Sequence, residues 1–153
     1  MRSVYKFLGY AISVLVAVQA AAIAVALFGL TKWVDDGGTL NSAAMESGEQ
    51  LFGEEWGFMV HGIGGEMLIP LVALVLLIVS FFAKVPGGVK WAAFIVVDVI
   101  LQVAFAFIAF GAPAVGVLHG LNALVLFGLG IMAARAAGRV DEIDVPAHEA
   151  ELV

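Results

Sequence analysis

Four apolar runs, each long enough to cross a bilayer, leave this chain few ways to fold: residues 7–30, 58–83, 91–110 and 114–134. A membrane-crossing helix takes about 20 apolar residues. Lipid offers no partner to backbone amides or carbonyls, so each run must satisfy its own hydrogen bonds as a helix. Composition agrees: 63% of the 153 residues are hydrophobic and the mean hydropathy is +1.08, where a soluble domain is usually about 45–50% apolar. The expected fold is all-α, an integral membrane four-helix bundle running up-down-up-down. It occupies residues 1–139, with an outer loop at 31–57 and an acidic cytoplasmic tail at 140–153.

Cysteine is absent, which excludes disulfides, thiolate metal sites and Cys nucleophiles. The net charge of −6 comes with too few basic residues for nucleic-acid binding. The first run is too long, and its Ala-rich part too deep, for a cleavable signal. Arg2, Lys6, Lys84, Lys90, Arg135 and Arg139 fall on one side of the bundle and Lys32 alone on the other. The positive-inside rule then places both termini in the cytoplasm, with the protein multi-pass in the cell (plasma) membrane. Trp33 and Trp56 mark the outer interface, Trp91 and Tyr5 the inner one.

The outer loop is acidic, carrying Asp35, Asp36, Glu46, Glu49, Glu54 and Glu55, and reads as a solvated cap or a docking surface for a basic partner. A short surface helix is expected at 41–52, capped by Asn41 or Ser42. The P-G-G turn at 86–88 and the G-A-P-A turn at 111–114 are short, which makes successive spans antiparallel neighbours and spans two and four diagonal. In the tail, His148 carries no expected role.

Span two holds His61 and Glu66 in an otherwise apolar stretch, and span four holds His119. Ionisable groups in hydrocarbon are costly and usually functional. Both histidines lie four or five residues inside their spans, roughly 5–8 Å below the outer edge at 1.5 Å per residue. At matched depth on diagonal helices, they can share one flat ligand, and a metalloporphyrin held by two axial imidazoles fits that geometry. Gly64 and Gly65 follow His61 on its face, and Gly116 and Ala123 flank His119, so the surface around both rings carries little side-chain bulk. Such glycines also serve close helix packing, as Gly128 and Gly130 would. Lys32, the outer cation, is a candidate partner for haem propionates or an ordinary interfacial anchor.

Below the histidines, Gln19, Glu66, Gln102 and Asn122 come one from each span to a similar depth, roughly 12–17 Å from the outer side. They are expected to form an internal hydrogen-bonded layer, with Asp98 extending it inward from Gln102 on the same face. Pro70 removes a backbone hydrogen bond and should kink span two one turn past Glu66.

The stretches H-G-I-G-G at 61–65 and L-H-G-L-N-A-L at 118–124 resemble one half of haem A synthase, whose halves are four-helix bundles with a histidine on the second and fourth helices. A set of small four-span proteins sharing that half-fold looks closer still, and the resemblance covers about residues 4–137. It implies haem ligation at His61 and His119. In haem A synthase a glutamate stands three residues before the histidine and an arginine directly after it. Phe58 and Gly62 hold those positions here, and a single four-helix unit is present. Oxidation of a haem methyl group is therefore not carried over, and a two-haem arrangement would need a homo-oligomer.

Three functions compete. The first is a haem b (iron) protein for electron transfer, alone or as an accessory subunit of a membrane redox complex, exchanging electrons with a quinone or an extracytoplasmic donor. The second is a cofactor-free structural or assembly subunit of a larger membrane complex, its histidines contacting each other or backbone. The third is copper bound by His61 and His119 with Met59 or Met67, which do not share a clear face with His61. No nucleophile–base pair, phosphate loop or carboxylate pair supports hydrolysis, so no catalytic residue is assigned and enzymatic activity stays open.

Overall fold

The computed structural model describes residues 1–143. Among them there is no strand, and four long helices are apolar and long enough to cross a membrane: Arg2–Asp35, Gly53–Ser80, Gly88–Gly111 and Pro113–Gly138. The last continues as helix to Ile143, beyond the expected span end at 134. Residues 144–153, most of the expected tail and His148 with them, lie outside the described residues. We number the four as spans one to four. Each packs against the next in sequence, and span one packs against span four, closing a ring with spans two and four on a diagonal.

The loop after span one contains a helix, but a shorter one than the sequence led us to expect. It covers Ser42–Glu46, capped by the Asn41 side chain, whose Oδ1 accepts from Ala44 N–H at 2.9 Å. Gly48 adopts a positive φ of 69° two residues past its end and turns the chain away.

The core is concentrated at one end. Tyr5, Ile12, Ile69, Leu76, Ile95, Val99 and Leu126 are buried in one cluster. The Tyr5 hydroxyl donates to Gly88 O at 2.9 Å and pins the start of span one to the start of span three. Spans one and four cross where Gly9 meets Gly130. A Cβ on Gly130 would stand 2.7 Å from Gly9 O, and a Cβ on Gly9 would stand 2.9 Å from Ala134 N. Ser13 Oγ donates to Phe127 O at 2.8 Å beside this crossing. Small residues four apart on both helices, Gly9 with Ser13 and Gly130 with Ala134, are what close packing in lipid requires. Toward the other end the bundle loosens. Span three has no buried residue past Val99, and span four none before Leu126. Large apolar side chains such as Phe7, Phe28, Leu71, Ile100 and Leu124 are exposed, as a lipid-facing surface requires.

Span two is not a regular α-helix. Residues Gly64–Leu68 form a π turn, with Ile69 N–H bonded to Gly64 O five residues back. The irregularity falls just before Pro70, where a missing amide had pointed to a kink. Buried positions along the span show its effect: Gly57, Gly64, Ile69, Ala73, Leu76 and Ser80. Gly57 and Gly64 stand seven apart, two ordinary helical turns, and the steps after Ile69 are three or four; the step of five from Gly64 to Ile69 is the irregular one. The extra residue of the π turn keeps one face inward on both sides of it.

Candidate functional site

His61 and His119 meet at the loose end of the bundle. Their ring centroids stand 6.2 Å apart with the planes at 68°. Neither ring is exposed. His61 is placed by the α-helical turn before the π segment, and its Nδ1 stands 3.1 Å from the main-chain oxygen of Gln19 on span one. His119 repeats the arrangement, its Nδ1 3.0 Å from the main-chain oxygen of Gln102 on span three. A carbonyl oxygen only accepts, so each Nδ1 must carry the proton and each Nε2 the lone pair. Metal-bound histidines are ordinarily oriented in this way, through the ring nitrogen that does not touch the metal.

The glutamine side chains differ. From span four, Asn122 Nδ2 donates to the main-chain oxygen of Asp98 on span three at 3.1 Å and to Asp98 Oδ2 at 3.2 Å. The same amide nitrogen donates to Gln102 Oε1 at 2.9 Å. With its oxygen so engaged, Gln102 turns its Nε2 toward His119 Nε2 at 3.4 Å. On span one, Gln19 Nε2 donates to Val60 O at 3.3 Å, and its buried Oε1 has no partner among the described residues.

Of the expected polar layer, two of four members, Gln102 and Asn122, bond to one another, extended by Asp98, while Gln19 bonds separately to Val60 O. Glu66 does not join it: it lies within the π turn and is exposed. Gly64 is filled by the Gln19 amide, which a Cβ there would strike; Gly65 lies beside the same side chain, a Cβ falling 3.7 Å from Gln19 Oε1. Close packing of span one on span two accounts for Gly64, whereas a Cβ at Gly65 would make an ordinary contact. A Cβ on Gly116 would meet nothing within 4 Å, so the space beside His119 is open. Gly128 is open as well, unlike Gly130. Lys32 Nζ lies 2.6 Å from Asp36 Oδ2 in an exposed pair one turn apart on the helix. Met59 and Met67 are 59% and 68% exposed, so neither thioether is buried beside the imidazoles.

The ring spacing matches that of two imidazoles facing one ion. Two imidazoles on opposite sides of one ion, each nitrogen about 2 Å away, place their centroids about 6 Å apart, close to the observed 6.2 Å. Both tautomers offer Nε2. No third His, Asp or Glu gathers with them into a metal-holding group among the described residues. A separate groove of about 700 Å³, lined by Tyr10, Val14, Ala17, Phe127, Ile131 and Arg135, contains neither histidine.

Sequence reasoning allowed the histidines contacts to each other or to backbone only under the cofactor-free alternative, without naming Gln19 or Gln102, and it missed the π turn. Comparison with family models, with curated proteins and with solved structures found no match for this chain.

Proposed function

We propose that this protein binds haem b through Nε2 of His61 and Nε2 of His119 and serves electron transfer, alone or as an accessory subunit of a membrane redox complex. The observation that carries this reading is the pair of rings 6.2 Å apart, each tethered by Nδ1 to a main-chain carbonyl. Bound there, the iron would supply reversible one-electron exchange. The chain's part is to hold both imidazoles in the ligating tautomer and to keep them out of water. The carbonyls of Gln19 and Gln102 fix ring orientation, and the open face at Gly116 leaves room beside His119.

On this reading the bundle runs up-down-up-down in the plasma membrane with both termini cytoplasmic, following its basic residues. The histidines then lie in the outer half, within reach of a quinone or an extracytoplasmic donor. A propionate near the outer interface would share Lys32 with Asp36. A second copy of the chain would bring a second haem.

One observation favours the alternative of a cofactor-free assembly subunit: the hydrogen bonds of both histidines tie neighbouring spans together, as structural bonds would. Oxidised and reduced absorption spectra of the purified protein, with pigment and metal analysis, separate the two readings. Haem gives a Soret band and sharp reduced α and β bands. A colourless, metal-free preparation leaves the assembly reading standing.

A further inference from the structure

We infer that Gln102 competes with the iron for Nε2 of His119, so that His119 is the exchangeable axial ligand and His61 the permanent one. The inference rests on the haem reading above and adds to it an asymmetry that the two histidines alone do not suggest.

Gln102 grips the His119 ring from both sides, its main-chain oxygen on Nδ1 at 3.0 Å and its side-chain amide at Nε2 at 3.4 Å. The polarity is forced from further down the helices. The main-chain oxygen of Asp98 can only accept, so Asn122 shows it an N–H. The same amide group faces Gln102 Oε1, which leaves Gln102 its NH2 for His119. The lone pair that would bind iron is thus already engaged. Gln19 is set the other way: its side chain turns to Val60 O, and nothing equivalent caps Nε2 of His61 among the described residues.

Ligation at His119 therefore breaks one hydrogen bond, from Gln102 Nε2–H to His119 Nε2, and forms one nitrogen–iron bond. No electron or proton is transferred. Asn122 keeps its bonds to Asp98 throughout and can receive the returning amide. When His119 goes back to Gln102, one axial position is free for a small neutral diatomic. The site would then bind such a ligand despite having two histidines.

The test uses the full chain in lipid nanodiscs, with haemin and carbon monoxide as probes and Gln102→Leu and Asn122→Ala as variants. In the haemin-free protein, the 15N resonance of His119 Nε2 moves downfield in Gln102→Leu while that of His61 stays. Haemin affinity rises roughly two- to tenfold in Gln102→Leu, the worth of one neutral hydrogen bond. Carbon monoxide binding to the reduced protein weakens by a similar factor. Asn122→Ala, which frees Gln102 without removing it, shifts all three the same way by less. An unmoved His119 resonance, or unchanged haemin and carbon monoxide affinities in Gln102→Leu, overturns the inference and leaves the haem reading intact. Failure of the wild-type chain to take up haemin overturns both.

Discussion

Gln19 and His61 are joined by a contact that involves no glutamine side chain: the main-chain oxygen of Gln19 lies 3.1 Å from the imidazole Nδ1. Gln102 and His119 repeat it at 3.0 Å, each glutamine standing on the span before its histidine. Two hairpins thus present two imidazoles by the same device, and tethers of this kind ordinarily govern how well a histidine holds a metal.

Removing either imidazole should remove the pigment. His61→Ala and His119→Ala are each expected to abolish the reduced α and β bands, while far-ultraviolet circular dichroism stays helical. His119→Ala should keep some five-coordinate absorption when haemin is added in excess, because His61 remains uncapped. His61→Ala should keep less.

The π turn absorbs one residue more than a regular helical turn. Deleting Met67, an exposed residue within Gly64–Leu68, lets that turn close as α-helix. Because the wider turn already keeps one face inward on both sides, His61 should hold its direction relative to Ile69, Ala73 and Leu76. We expect haemin binding and helix content both retained, measured by titration and circular dichroism on the same sample.

Glycines that look alike in sequence should behave differently. Gly130→Ala places a methyl group against Gly9 O and Ser13, and overpacking of that kind costs about 1–3 kcal/mol. Gly128→Ala, two residues away, meets nothing within 4 Å and should change stability by less than about 0.5 kcal/mol. Reversible unfolding in mixed detergent micelles measures both.

Gly64→Ala gives a subtler result. The new methyl group pushes the Gln19 amide from Val60 O but leaves the Gln19 carbonyl on its helix. Stability should fall by about 1 kcal/mol, with the His61 tether and haemin binding retained. Loss of haemin binding would instead show Gly64 lining the ligand space.

Much of this was legible in the sequence. Bilayer-length apolar runs gave the long helices, since lipid leaves the backbone no other choice. Matched depth on alternate spans brought His61 and His119 together. What stayed hidden was carried by groups without a side-chain signature. A main-chain acceptor such as Gln19 O has no letter of its own. Gly64 reads equally as room for a ligand and as a seat for a neighbour, and the structure seats Gln19 there. Glu66 was expected inward from its depth and its charge, and depth does not say which side of a helix a residue takes; it is exposed within the π turn.

The uneven distribution of buried side chains along the bundle bears on the order of biogenesis. The end around Tyr5, Leu76, Ile95 and Leu126 can consolidate with nothing bound, because its contacts are all within the chain. On the haem reading, the histidines would then wait in a vestibule already shaped by its floor, and a guest would enter last, after insertion is complete.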